Sequence, residues 1–393
     1  MNRLFERTHP WINFSFQLKR LDYTTWMLLG EAESKCEHIA GVPLRPDIAE
    51  KMNRIYLSKG IHGTTSIEGN TLSEGEVLAR VSGDLPLPPS REYLGREVDN
   101  ILEICNEIID DVIAGKPLVL TPERISEFNG RILNGLPLSG EVTPGALRNH
   151  SVVVANYRGA PAEDLPFLMD RFCEWIDKDF DPGSARNMGF VVAILRAILA
   201  HLYIAWLHPF ADGNGRTARL IEFQLLIQAG VPMPAAQLLS NHYNKTRDRY
   251  YQVLGSTSQG DFPVQDFIKY AIEGFVDELR DQIDYIREQQ MHVTWENFIH
   301  DVFRTQETPA KRRQKHLVLD FPPDKQIALN EVRHISPRLA EEYAGKQQKT
   351  VSRDINELTS MGLIRRVGSR GRFVRVNRAI ISAFLPIRAE VSE

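Results

Sequence analysis

The sequence predicts a mainly α protein with a β-hairpin in its middle and a small α+β unit near its C-terminus. Three observations predict it. Apolar residues recur at helical spacing through most of the chain. The glycine, proline and β-branched pattern of strands and turns appears at 135–161 and again around 362–376. A polar, basic, proline-bearing stretch at 305–325 reads as a linker between the two parts. At 393 residues the chain exceeds the usual size of one core, so two or three domains are expected. Its 42% hydrophobic and 25% charged residues, with a net charge of −4, fit a soluble globular protein, and any nucleic-acid surface must be local. Cys36, Cys105 and Cys173 lie far apart with no CxxC pair, which leaves no disulfide framework or zinc site and points to a reducing cytoplasm.

The early residues mix Arg, Glu, His and Asn, unlike a signal peptide. Helices are expected near Asp22–Ile39 and Asp47–Lys59, the first stopping before Gly41 and Pro43. Residues 61–75 are polar and glycine-bearing, and Asp84–Pro89 is a proline-rich turn. Glu97–Ile113 has clear amphipathic spacing, and Thr121-Pro122-Glu123 starts a helix running to Leu133. Ser151–Ala155 reads as one strand of a hairpin. Helices resume at Leu165–Asp177, Ala185–Leu207, Tyr243–Leu254, Val264–Gln290 and Trp295–Arg304. Phe190–Leu207 is the one membrane candidate. Arg196 and His201 near its middle favour a buried helix, and no membrane partner is expected.

The chemistry concentrates in His208-Pro209-Phe210-Ala211-Asp212-Gly213-Asn214-Gly215-Arg216-Thr217-Ala218-Arg219. Two glycines around Asn214 let the backbone turn sharply and bring N–H groups close to a ligand. A helix starting there offers unpaired N–H groups and a positive dipole end, which suit phosphate. Arg216 and Arg219, three apart, share a face and repel unless an anion sits between them. No P-loop, H-E-x-x-H or G-x-S-x-G pattern occurs. Gly213–Ala218 matches a loose dinucleotide fingerprint, but a helix precedes it and no acid follows in Val231–Leu239, so that reading fails. The residues suggest phosphoryl or nucleotidyl transfer, with Asp212 suited to magnesium and His208 to a general base. A bland alternative makes His208 a core histidine, Asp212 a helix cap and Arg219–Glu222 a surface pair; the joint occurrence argues against it.

At every fixed position, His208–Arg219 resembles the Fic family signature H-x-F-x-[DE]-G-N-G-R-x-x-R. The resemblance covers residues 60–275 well. It implies a Fic helical bundle with a β-hairpin flap, and a transferase that attaches AMP from ATP to a Ser, Thr or Tyr hydroxyl of a protein. By the same resemblance, His208 is the base and Asp212 the Mg2+ ligand. Gly213, Asn214, Gly215, Arg216, Thr217, Ala218 and Arg219 bind the nucleotide, the Gly-Asn-Gly turn and the two arginines at its phosphates, with Arg219 nearest the γ-phosphate. Tyr250 and Tyr251 stand where relatives place adenine-pocket aromatics. Pro144–Arg148 and the strand with Val152, Val153 and Val154 resemble the flap that docks a target segment. Thr64…Glu68-Gly69 is similar to the family's inhibitory motif [ST]-x-x-x-E-[GN]. A carboxylate there would occupy the γ-phosphate place on Arg219. The resemblance therefore implies a self-inhibited enzyme that can modify itself. Removal of AMP, with Glu68 orienting water, uses the same residues and is the alternative within the enzyme class.

Gln326–Val376 reads as a separate unit. Ser336-Pro337 starts one helix, Val351–Thr359 is a second, and 363–367 and 372–376 alternate around Gly368 and Gly371 as a hairpin. Helix, turn, helix, hairpin is the order of a winged helix. Lys349, Arg353, Arg365, Arg366, Arg370, Arg372 and Arg375 outnumber Asp354 and Glu357, so DNA is one expected partner, and a protein contact or dimer interface the other. A DNA-binding regulator that keeps the central domain as a nucleotide sensor is the rival from another class. The expected division is 1–110 as an N-terminal helical region with the inhibitory motif at 64–69, then 111–290 as the catalytic core with its flap at 145–160. Residues 291–325 follow as helix and linker, and 326–385 as the winged helix. ATP, protein targets including the chain itself, and a second copy in a homodimer complete the expected partners.

Overall fold

The structure is a computed structural model, and it describes residues 3–83, 85–154, 157–180, 188–258, 263–305, 308–323, 325–368 and 371–382. Two compact units emerge, residues 1–284 and 285–393. No boundary falls at residue 110, because the helices on either side of it share one core with the signature loop.

In the first unit, α1 is Leu4–Thr8, α2 Tyr23–Gly41, α3 Pro46–Ile67, α4 Glu74–Val81, α5 Glu92–Ile113, α6 Pro122–Ile132, α7 Leu165–Glu174, α8 Gly189–Leu207 and α9 Asn214–Gln228. The short α10, Met233–Ala236, and α11, Leu238–Lys245, lead to α12, Arg247–Ser256, and to α13, Pro263–Val302, which runs on past residue 284 into the second unit. Helix starts follow their local chemistry. Asp22 accepts from Thr25 N at 2.6 Å, Thr121 from Arg124 N at 3.2 Å, and Pro46 and Pro122 sit where a missing N–H costs nothing. The strands β1, Val153–Val154, and β2, Tyr157–Arg158, pair antiparallel as a short hairpin; Ala155 lies outside the described residues.

Helices α8 and α9 pack against one another at the centre, and both are buried almost all round. The α8 segment is long and apolar enough to cross a membrane by length and composition, but 78% of its most apolar window is buried.

Several expectations need correcting. Residues 61–67 are helical, not loop, because Gly60 and Gly63 permit close packing instead of breaking α3. A Cβ at Gly60 would lie 2.0 Å from Gln237 Oε1, and one at Gly63 would lie 2.6 Å from the Ser240 carbonyl. Helix α4 was not expected, although Ser73 and Glu76 form a full capping box before it. Helix α5 begins five residues before Glu97. The expected break between Gln290 and Trp295 is absent, since no glycine or proline interrupts α13.

The second unit carries the remaining correction. Residues 309–320, read as linker, form α14, Pro309–Asp320. Pro309 follows the cap Thr308, which accepts from Lys311 N, so it starts a helix and does not mark a linker. The helix buries Leu317 and Val318, and its Arg313 pairs with the buried Asp354 at 2.7 Å. After it come β3, Ile327–Ala328, α15, Pro337–Glu342, and α16, Gln348–Ser360. The strands β4, Ile364–Val367, and β5, Phe373–Val376, then complete an antiparallel sheet ordered β3-β5-β4.

Candidate active site

Helix α8 ends at His208, whose backbone is left-handed at φ 47° and ψ 57°. A non-glycine residue in that region is strained, so its surroundings must hold it there. Arg148, buried between hairpin and loop, does so. Its guanidinium donates to the carbonyls of His208 at 2.7 Å, Leu207 at 3.2 Å and His150 at 2.6 Å, and also to Ala160. The backbone of 147–148 also pairs with the signature loop through Leu147–Phe210 and Arg148 N–Pro209 O.

The turn to α9 is closed by its own side chains. Asn214 Oδ1 accepts from Phe210 N at 2.9 Å and its Nδ2 donates to Phe210 O at 2.8 Å. Gly213 takes φ 79°, and Asn129 Nδ2 reaches the Asp212 carbonyl at 2.8 Å from α6. A Cβ at residue 213 would lie 2.8 Å from that same Nδ2, so both conformation and space require glycine there. Thr217 is fully buried and its hydroxyl donates to the Gly213 carbonyl, so its side chain stabilises the helix start.

Facing this helix end is a cavity of about 680 Å³, within the range of small-ligand sites. Glu68, Val154, His208, Asn214, Gly215 and Arg219 line one part, and Tyr250 and Tyr251 another. Of the sequence-derived site residues, Asp212, Gly213, Arg216, Thr217, Val152 and Val153 do not line it. Asp212 stands at the turn with its side chain 44% exposed. Val153 and Val154 are exposed on the hairpin.

The two arginines have different partners. Arg219 Nη2 donates to Glu68 Oε1 at 2.6 Å and to the Thr64 carbonyl at 3.0 Å, and its Nε to Thr64 Oγ1 at 2.7 Å. Gly215 makes room for this pair, because a Cβ there would lie 2.2 Å from Glu68 Oε1. Burial pushes the Glu68 carboxyl up, but Arg219, then Arg216 and His208, outweigh it and hold the group below its ordinary range. Arg216 has carboxylate partners on two sides. It is buried between Glu97 Oε1 at 2.6 Å and Asp212 Oδ1 at 3.0 Å, because those carboxylates neutralise it from within the fold. The bland surface pair also fails, since Glu222 turns away from Arg219 into the core.

Burial, followed by the charge of Arg148, pushes the His208 imidazole down to about 4. One ring N–H is taken by the Ala205 carbonyl, which leaves the other nitrogen free to accept a proton at neutral pH. Sequence reading missed Arg148's grip on the turn, Asn129, Glu97, and Asn70, whose Nδ2 donates to Glu97 Oε2 at 2.8 Å. No local pattern marks such partners, which come from helices far apart in sequence.

Fold and site together define a helical domain with a tight turn between two central helices and a carboxylate of its own chain held there by Arg219. Residues 119–226 match the Fic/DOC family and form a Fic domain. The chain is similar to proteins named Protein adenylyltransferase Fic. It is 30% identical over 220 residues to that of Drosophila willistoni, covering 55% of this chain and 38% of the relative. To that of Nematostella vectensis it is 26% identical over 255 residues, covering 65% and 54%. The chain thus spans about half the length of these curated relatives or less. Among solved structures, a Fic family protein from Desulfovibrio desulfuricans G20 superposes with a TM-score of 0.53 at 19% identity, covering 91% of this chain and 96% of that one. Fic-1 from C. elegans gives 0.51 at 20% identity, covering 67% and 73%. These structural likenesses establish the fold alone.

Proposed function

We propose that the protein moves AMP from ATP to hydroxyl side chains of proteins, itself among them, and that Glu68 holds it inactive. The observation that carries this reading is the Glu68–Arg219 pair, an internal anion set on a phosphate-type helix end in the same cavity as His208. The names of the curated relatives support the class of reaction.

In this reading the terminal phosphate takes the place of the Glu68 carboxylate on Arg219, and the backbone of Asn214 and Gly215 cradles the phosphates. His208 accepts the proton of the target hydroxyl through its free ring nitrogen. The hydroxyl oxygen then bonds to the α-phosphorus, the bond from that phosphorus to the α–β bridging oxygen breaks, and pyrophosphate leaves. Asp212 would hold Mg2+, and the ion when bound offsets phosphate charge and orients the chain. The donor set fits. One half-exposed carboxylate stands at the turn, with no cluster of three ligating side chains among the described residues, and Mg2+ draws its other oxygens from phosphate and water. The exposed Val153–Val154 edge suits docking of an extended target segment by main-chain pairing. Three free, buried cysteines fit a reducing cytoplasm.

Mass spectrometry of the Glu68→Gly protein, incubated with Mg2+ and each nucleoside triphosphate, tests the reading. A +AMP adduct formed with ATP and lost in Glu68→Gly/His208→Ala is expected, and no adduct with any donor would refute it.

For the second unit we propose a winged helix that meets duplex DNA. Lys349, Arg353, Arg365 and Arg372 are exposed on α16 and the β4–β5 hairpin, and none forms an ion pair among the described residues; Arg370 lies outside them. Full-chain binding to duplex DNA that falls steeply with salt, and weakens in Arg353→Ala, is expected. No binding at low salt would leave a protein contact instead.

A further inference from the structure

The signature turn holds one guanidinium between two carboxylates. Arg216 Nη1 donates to Glu97 Oε1 at 2.6 Å, and its Nη2 donates to Asp212 Oδ1 at 3.0 Å. Glu97 is buried in α5, and its other oxygen accepts from Asn70 Nδ2 at 2.8 Å. Asn70 is buried too and is anchored on both sides of its amide. Its Nδ2 also donates to the Leu94 carbonyl at 3.0 Å, and its Oδ1 accepts from Leu72 N at 3.0 Å. Burying a carboxylate is expensive even when it is paired, and an apolar side chain of similar size could fill this place in α5. Arg216 already has Asp212 within reach, so neutralising it does not require a second carboxylate. Stability alone does not account for Glu97.

Charge does. Two carboxylates on one guanidinium leave a negative charge in excess, and burial decides where it lies. Glu97 is closed off on both oxygens from within the fold. Asp212 is half-exposed, and its bonds gather on one oxygen, since Oδ1 accepts from Gly213 N at 2.5 Å as well as from Arg216. Among the described residues no group donates to Oδ2. Without the Glu97 charge, Arg216 would cancel that of Asp212 and repel a cation brought to it. With it, Arg216 holds Asp212 in place and leaves its negative charge available.

We propose that Glu97, anchored by Asn70, neutralises Arg216 so that the guanidinium orients Asp212 without cancelling its charge, and Oδ2 is kept for a divalent cation. A hard cation such as Mg2+ takes carboxylate oxygens of this kind together with phosphate and water. The inference rests on the reading of ATP and Asp212 given above, and it adds the residues that make Asp212 a metal ligand. Glu97 and Asn70 are positioning residues in this scheme, and neither lines the nucleotide cavity.

Isothermal titration of ATP into full-length Glu68→Gly, once with EDTA and once with Mg2+, provides the test. The parent should bind ATP more tightly with Mg2+. Adding Glu97→Gln should cut that gain about tenfold, the scale on which a metal ligand's own hydrogen-bond partners act. ATP with EDTA should bind no more weakly, because the turn has become one charge more positive. General loosening of the fold would instead weaken both, and that result would overturn the proposal, as would an unchanged gain from Mg2+. A parent that binds ATP but gains nothing from Mg2+ would remove Asp212 as a metal ligand, and this inference with it, while leaving the ATP reading intact. A parent that binds no ATP under either condition would refute the ATP reading itself. Thermal melting identifies a Glu97→Gln protein that does not fold. Asn70→Ala, which keeps the Glu97 charge but frees its carboxylate, then carries the test: a smaller loss of the Mg2+ gain is expected, and no loss would overturn the positioning.

Discussion

Replacing Glu68 by glutamine keeps the side chain's volume and removes its charge, so it isolates what the carboxylate does for Arg219. The Arg219 side chain is 1% exposed and that of Glu68 27%, which makes this a largely buried pair. Breaking a buried pair leaves an uncompensated charge and costs about 3–5 kcal/mol. Arg219 keeps two bonds to Thr64, so the low end, about 3 kcal/mol, is expected. At about 2–4 °C per kcal/mol for a unit of this size, the melting temperature should fall roughly 6–12 °C without nucleotide. Mg-ATP should restore more stability to Glu68→Gln than to wild type, because the phosphate supplies the missing anion. At about a hundredfold excess over Kd the gain is about 2.7 kcal/mol, close to the loss. The pH sign is fixed as well. The folded carboxyl lies below its ordinary 4.5, so its contribution is full above that pH and is lost as pH falls below it. The wild-type advantage should therefore be complete at pH 7 and shrink in acid. Differential scanning calorimetry with and without Mg-ATP reads all three effects. Equal melting temperatures at pH 7, together with equal ATP shifts, would refute the idea that Glu68 is the anion Arg219 needs.

Gly215→Ala should mimic that loss, because its Cβ would meet Glu68 Oε1 at 2.2 Å; combined with Glu68→Gln it should add little, and full additivity in melts would separate the two sites. Because His208 sits at about 4, the acid limb of kcat/KM for Glu68→Gly should lie near or below that value; a limb at 6.5 would mean that a different group takes the proton. Arg148→Ala should release the His208 carbonyl and the hairpin together, lowering kcat/KM at least tenfold while a lysine restores little of it; wild-type kinetics would show that the turn holds itself.

Much of the site was legible because it is local. A helix-to-turn-to-helix path with glycines at 213 and 215 and charges at fixed offsets is written in twelve consecutive residues, and spacing alone puts Arg216 and Arg219 on one face. The Thr64–Glu68 pattern was also visible, but the helix carrying it was not. Gly60 and Gly63 look like breakers until Gln237 and Ser240 are seen pressed against them, some 175 residues away in sequence. The same holds for α14. Pro309 and the basic run after it resemble a linker, and only the buried Asp354 shows why Arg313 belongs in a core. What pattern reading lacked in each case was a partner from a distant element. Arg216 is a further case, since its carboxylate partner Glu97 comes from a helix more than a hundred residues earlier.

That difference between the arginines identifies which of the two a ligand can claim. Both are neutralised in the present structure, so the repulsion between them is already relieved. Glu97, however, sits in the second turn of α5, buried, with its second oxygen held by Asn70 at 2.8 Å, and removing it from Arg216 would unpack the helix around it. Glu68 is the cap residue of α3, more exposed, and one carboxylate oxygen makes its bond to Arg219. Withdrawing it disturbs a helix end and not a core. In the proposed reading an incoming polyphosphate would compete at Arg219, where the internal anion is removable, while Arg216 keeps Asp212 in place on the other side of the turn. In that reading the turn has a fixed half, which holds the candidate metal ligand, and an exchangeable half, at which Glu68 and a terminal phosphate would exclude one another.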